Sequence, residues 1–270
     1  MNDFRHNYLD EIKIMGIINT TPDSFYSGSR CNDEKTLLLA TESMLSAGAD
    51  ILDIGGVSTR PGGQAVDYKE ERKRIIPAMK AIRKNFKDVI ISVDTFNAEI
   101  ADEACAEGCD IINDISGGYC SDNMFQVVAD NKADYILMHS VSNKNGMMQN
   151  HKYDNILNDI IKFFDDKIKQ LNDLGVANII IDPGFGFSKT LEENYHLFNN
   201  LDIFEKYKLP ILVGISRKSM IYKLLDETPQ DALNGTTILN TIAAIKGANI
   251  LRVHDVKEAV EIKKIVAMLH

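Results

Sequence analysis

Short apolar runs in this chain end, one after another, on side chains that hydrogen-bond or carry charge. Ile14 to Ile18 stops at Asn19, Ile51 to Ile54 encloses Asp53, Val89 to Val93 stops at Asp94, and Ile111-Ile112 stops at Asn113-Asp114. In the second half Tyr135 to Met138 stops at His139, Ile179 to Ile181 at Asp182, and Ile211 to Ile215 at Ser216-Arg217-Lys218. Finally, Ile250 to Val253 encloses Arg252 and stops at His254-Asp255. Arg60, Lys218, Arg252 and His254 all fall in such strand-end segments, a local store of positive charge suited to a small anionic ligand. No recognised motif places a Ser-His-Asp or Cys-His arrangement.

The elements that must bring these endings together alternate in type. Helix-period segments cover Asp33 to Ser46, Asp67 to Phe86, Asn97 to Glu107, Asp122 to Asn131, Asp154 to Leu174, Thr190 to Tyr207, Ser216 to Leu225, Pro229 to Lys246 and Val256 to Leu269. Several of them close on a glycine leading straight into the next strand, as in Gly48-Ala49-Asp50-Ile51 and Gly247-Ala248-Asn249-Ile250. Glycine suits that joint because the residue after a helix commonly takes positive φ. Strands too uniformly apolar to be half-exposed, alternating with helices, call for a parallel sheet covered on its outside. Eight such units predict a single-domain (β/α)8 TIM barrel over residues 1–270 rather than a doubly wound open sheet. A barrel gathers all the strand ends on one face. The two long loops there, 19–32 and 55–67, are rich in Gly, Pro, Ser and Thr and are candidate lids.

The bulk properties narrow the class. With 270 residues, 44% hydrophobic and 26% charged, the chain can bury a full core. A net charge of −9 argues against non-specific nucleic-acid binding. No apolar stretch approaches the roughly 18 residues that span a bilayer, so no membrane role and a cytoplasmic location are expected. The spacing of Cys31, Cys105, Cys109 and Cys120 predicts reduced thiols rather than a metal site.

The loop Asn19-Thr20-Thr21-Pro22-Asp23-Ser24-Phe25 and the string Gly55-Gly56-Val57-Ser58-Thr59-Arg60-Pro61-Gly62 resemble the signature loops of the dihydropteroate synthase family. The likeness runs on through Ser92-Val93-Asp94-Thr95, Ile112-Asn113-Asp114, Leu137-Met138-His139, Asp182-Pro183-Gly184-Phe185-Gly186-Phe187, Ser216-Arg217-Lys218-Ser219 and Leu251-Arg252-Val253-His254-Asp255. It touches all eight predicted strands in order. Two places depart from the family's wording: Val57, where many relatives carry an acidic residue, and Ser140 to Gln149.

The resemblance implies condensation of 6-hydroxymethyl-7,8-dihydropterin pyrophosphate with p-aminobenzoate to give 7,8-dihydropteroate and pyrophosphate. It also implies three subsites. A pterin offers a donor-rich edge and a flat face: Asp94, Asn113 and Asp182 suit the edge, Lys218 the ring carbonyl, Met138 and Phe187 the apolar walls, and Arg252 a stacking position. The leaving pyrophosphate calls for cations and donors, and the family pattern falls on Asn19, Thr59, Arg60, Arg252 and His254, with Asn19 also the ligand of a Mg²⁺ cofactor. For p-aminobenzoate the pattern gives Phe25, Thr59, Pro61 and Ser216, the carboxylate sitting at the amino terminus of a helix that opens at Ser216. Lys218, Arg252, Asp94 and Asn19 are the expected catalytic set, and a homodimer is expected. The intact Ser58-Thr59-Arg60-Pro61-Gly62 string implies a p-aminobenzoate site that sulfonamides can occupy.

Mechanistically the resemblance implies ionisation of the C–O bond followed by attack of the neutral amine, with catalysis resting on alignment and charge stabilisation. The nearest alternative is a related barrel that presents methyltetrahydrofolate for methyl transfer, which has no need of phosphate ligands such as Thr59-Arg60 and His254. A Schiff-base aldolase using Lys218 is another. Asp53, His139 and Arg217 have no assigned part.

Overall fold

A computed structural model describes residues 7–20, 30–56, 67–141, 149 and 151–269, with the side chains of 30–33 excepted. The strands are β1 Lys13–Asn19, β2 Ile51–Gly55, β3 Ile90–Asp94, β4 Ile111–Asp114, β5 Asp134–Met138, β6 Ile179–Asp182, β7 Leu212–Val213 and β8 Ile250–Val253. All pair in parallel in the order β6-β5-β4-β3-β2-β1-β8-β7. The Ile181–Ile211 bridge and the Ile181 N–H to Pro210 carbonyl bond, 2.9 Å, join the two ends and close the barrel.

Helices α1 Arg30–Ala47, α2 Tyr68–Asn85, α3 Ala98–Ala106, α4 Met124–Asn131, α5 Ile156–Asp173, α6 Leu191–Asn199, α7 Ser219–Tyr222, α8 Leu233–Ile245 and α9 Val256–Val266 alternate with the strands. Starts are chemically marked: Asp67 and Asn97 accept backbone N–H bonds at the heads of α2 and α3, and Thr190 with Glu193 forms a capping box on α6. Several expected helices are shorter than predicted, two of them for reasons the structure makes plain. The segment predicted as one helix from Thr190 breaks at Asn200, whose side chain donates to the His196 carbonyl, and resumes as a 3-10 helix over Leu201–Tyr207. The helix expected from Ser216 opens at Ser219, because Arg217 takes φ 53° and turns the chain first.

Strand alternation sorts side chains into an outer layer against the helices and an inner one. The lower interior is a dry plug of Tyr8, Met15, Ile51, Ile111, Ile136, Ile180, Leu212 and Ile250. Two residues further along the same strands the inner positions become Ile17, Asp53, Asn113, Met138, Asp182, Gly214 and Arg252. The barrel thus carries its polar groups in its upper half.

Candidate functional site

One pocket at the carboxyl ends of the strands is lined by Asp94, Asn113, Ile115, Met138, Asp182, Phe187, Gly214, Lys218 and Arg252. All seven residues expected at the pterin subsite are among them. Ile115 and Gly214 were not anticipated; Gly214 was legible as the inward position two beyond Leu212, whereas Ile115 lies past the end of β4 and no periodicity marks it.

Arg252 is the charge hub. Its Nε donates to Asp53 Oδ2 at 2.6 Å and its Nη2 to Asp94 Oδ2 at 2.8 Å. Asp53, fully buried, also accepts from Ser92 Oγ at 2.6 Å and from Asn113 Nδ2 at 3.2 Å. Asp53 therefore holds the floor of the pocket, fixing both the guanidinium and the Asn113 amide. Burial works against the Arg252 charge, but the Asp53 and Asp94 carboxylates outweigh it and raise its pKa. Burial pushes the Asp94 carboxyl up to about 7; Arg252 opposes this while Asp53, Glu71 and Asp114 add to it.

Opposite, Lys218 Nζ donates to the Phe185 carbonyl at 2.6 Å and lies 4.3 Å from the centroid of the Phe187 ring. That contact draws one of its three donors and sets Phe187 as a wall. Burial lowers the Lys218 pKa to about 8, with Asp182 holding it up. Asp182 is itself raised by burial, against the pull of Lys218 and of the Gly184 N–H that its Oδ1 accepts at 2.7 Å. The turn that follows needs glycine: Gly184 has φ 72°, and a Cβ there would lie 2.0 Å from the His139 carbonyl oxygen.

The anion-site geometry expected at Ser216 is different in the structure. Its hydroxyl sits 3.1 Å from His254 Nδ1 and accepts the His254 N–H at 3.2 Å, while the helix beyond begins only at Ser219 and runs four residues. So brief a helix has little dipole to offer at Ser216. Arg217, left unassigned, is structural: it makes a bidentate pair with Asp255, 2.8 and 2.9 Å, and donates to the carbonyls of Pro229 and Gln230. His139 is not among the residues lining the pocket; it is buried, edge-on against Phe163.

Asn19 ends β1 opposite Gly55, and the next residue, Thr20, donates from N and Oγ1 to the Gly55 carbonyl, tying the roots of the two long loops. Phe25, Thr59, Arg60 and Pro61 lie outside the described residues. Cys105, Cys109 and Cys120 form no disulfide among the described residues.

Comparison with known proteins bears on this geometry. Residues 15–254 match the model of a family described as pterin binding enzyme. The chain is 41% identical over 255 residues to the dihydropteroate synthase of Escherichia coli strain K12, covering 94% of this chain and 90% of that one. A Clostridium difficile dihydropteroate synthase crystallised in the presence of pteroic acid superposes with a TM-score of 0.92 at 35% identity, covering 98% and 99% of the two chains. The Xanthomonas albilineans enzyme in complex with 7,8-dihydropteroate gives 0.85 at 32% identity, covering 97% and 94%. These relatives decide for the synthase branch over the methyltetrahydrofolate-binding one. With its eight-stranded barrel, and with a polar pocket where the motifs converge, the chain belongs to the dihydropteroate synthase family of pterin-binding enzymes.

Proposed function

We propose that the pocket binds the pterin ring of 6-hydroxymethyl-7,8-dihydropterin pyrophosphate, and that the chain joins it to p-aminobenzoate with loss of pyrophosphate. The observation that carries this reading is the arrangement around one pocket: acceptors Asp94, Asn113 and Asp182, cations Lys218 and Arg252, and walls Met138 and Phe187. Carboxylates and an amide meet the donor edge of the ring, and the two cations meet what is electron-rich or departing. Pteroic acid and 7,8-dihydropteroate, named with the two structural relatives, are products of this class and support it.

In this reading Asp182 and Asn113 take the ring's N–H groups, and Lys218 donates to its carbonyl. Arg252, held in place by Asp53, lies against the ring and faces the charge that builds on the leaving oxygen. Because that guanidinium is fixed before substrate arrives, it loses little on reorganisation as the bond breaks. Asn19, Thr59, Arg60 and His254 complete the pyrophosphate subsite. Phe25, Thr59, Pro61 and Ser216 form that of p-aminobenzoate, with Ser216 contributing its hydroxyl rather than a helix terminus.

Asn19 is a hard oxygen donor, and Mg²⁺ typically takes few protein ligands and shares itself with substrate phosphates. Bound there it supplies neutralisation of the leaving charge. Among the described residues no group of three or more His, Cys, Asp or Glu could hold a metal, and none of the described helices is long and apolar enough to cross a membrane. A cytoplasmic homodimer fits the reading. Ile238, Ile242 and Ile245 follow one another along an exposed side of α8, the kind of apolar face a two-fold interface covers.

The test is incubation with the pterin pyrophosphate, p-aminobenzoate and Mg²⁺, following pyrophosphate and dihydropteroate together. Equal amounts of both are expected; tight pterin binding with neither product would overturn the assignment.

A further inference from the structure

Beneath the turn that follows β6 lies a second lysine that the pocket does not use. The Lys189 ammonium donates to the Gly184 carbonyl at 2.8 Å, the Phe187 carbonyl at 3.1 Å and the His139 carbonyl at 3.3 Å. An ammonium has three N–H donors, so these three backbone oxygens match its whole capacity. Two of them belong to the turn and the third to the residue just past β5, whose N–H in turn donates to the Asp182 carbonyl at 2.9 Å.

The same turn is gripped from two further directions. Asn194 of α6, buried, accepts the Gly186 N–H at 2.6 Å and returns its amide to the Lys189 and Thr190 carbonyls. Lys218 takes the Phe185 carbonyl from the pocket side. The carbonyls of Gly184, Phe185 and Phe187 are thus each satisfied by a lysine, one above the turn and one below. Burial lowers the Lys189 pKa to about 7, with Asp182 and Glu193 holding it up and Lys218 pushing it down. A cation kept in so costly a place is better explained by what it holds than by solvation.

We propose that Lys189 is a positioning residue for the pterin subsite, acting as a tethered cation around which the 183–188 turn is shaped. Lys189 is not among the residues that line the pocket; it reaches the lining only through the Phe187 backbone carbonyl. It sets the backbone that presents Phe187 as a wall and orients Asp182, and its charge helps keep Asp182 ionised. Removing the ammonium takes a donor from three carbonyls, of which Gly184 keeps the Phe187 N–H at 3.2 Å; the turn relieves the loss by moving, and Phe187 moves with it.

The inference rests on the pterin reading of the pocket, so the experiment begins with pterin pyrophosphate binding to the wild-type protein. Absence of binding there would overturn that reading itself. Given binding, Lys189→Met is expected to raise the KM for pterin pyrophosphate about tenfold or more, near 1.4 kcal/mol of lost affinity. The KM for p-aminobenzoate should stay within about twofold and kcat within about threefold. Lys189→Arg, which keeps charge and donors, should recover most of the pterin affinity. Lys189→Gln repeats the test if the methionine variant does not fold. An unchanged pterin KM in a folded variant, or equal losses for both substrates, would contradict the proposal. Failure of both neutral variants to fold would also contradict it, assigning Lys189 to the fold alone.

Discussion

The lower and upper halves of the barrel interior are made by the same strands and differ by a step of two residues. Ile51 gives way to Asp53, Ile111 to Asn113, Ile180 to Asp182 and Ile250 to Arg252. Below, the side chains fill space and the one hydroxyl, that of Tyr8, is matched by Asp134 at 2.6 Å. Above, the groups face one another as charges, and Asp94 and Lys218 are driven toward neutral pKa values, about 7 and about 8. The contrast separates a half that supplies stability from a half whose stored electrostatic cost is useful only when a ligand is present.

The largest effect should come from Arg252→Met. It strands Asp53, which has no access to solvent, without its cation, so a loss of about 3–5 kcal/mol in denaturant unfolding is expected together with abolished turnover. A stable, active variant would show that the hub is not electrostatic. Lys218→Ala should be milder for the fold, since the side chain borders the pocket. Turnover should fall about a hundredfold while Tm shifts by only a few degrees. Comparable damage to both would erase the distinction between the halves.

The pH profile probes the upper half without mutation. Asp94 loses its proton as pH rises through about 7 and becomes the carboxylate that pairs with Arg252, giving an ascending limb in kcat/KM for pterin pyrophosphate. Lys218 loses its proton as pH rises through about 8, giving a descending limb. Lys218→Arg should move the descending limb upward, and an unmoved limb would assign it to another group.

Much of this was legible in the sequence because two local signals agree. Apolar runs mark strands buried on both faces, and the glycines at Gly48, Gly108, Gly175 and Gly247, all at positive φ, mark where helices stop. Among the seven pterin residues, Asp94, Asn113 and Asp182 were legible as polar strand ends, whereas Met138, Phe187, Lys218 and Arg252 drew their roles from the family resemblance. Asp53 was not legible, since its role depends on Arg252, 199 positions away and adjacent only once the barrel closes. Lys189 was hidden because its partners are backbone carbonyls, which leave no mark in side-chain spacing. The start of the helix after β7 was misplaced because the left-handed turn at Arg217 is set by tertiary contacts with Asp255, Pro229 and Gln230.

The central claim is that the pocket-facing groups of the upper layer serve binding, while stability rests on the lower layer and on the buried Asp53–Arg252 pair beneath the pocket. It is tested most directly by measuring pterin pyrophosphate affinity and unfolding free energy side by side in Asp182→Asn and Tyr8→Phe. Asp182→Asn should weaken binding at least about tenfold while stability holds within about 1 kcal/mol. Tyr8→Phe, which takes the hydroxyl from buried Asp134, should cost about 1–2 kcal/mol of stability and leave affinity unchanged. Affinity lost in Tyr8→Phe, or kept in Asp182→Asn, would contradict the account.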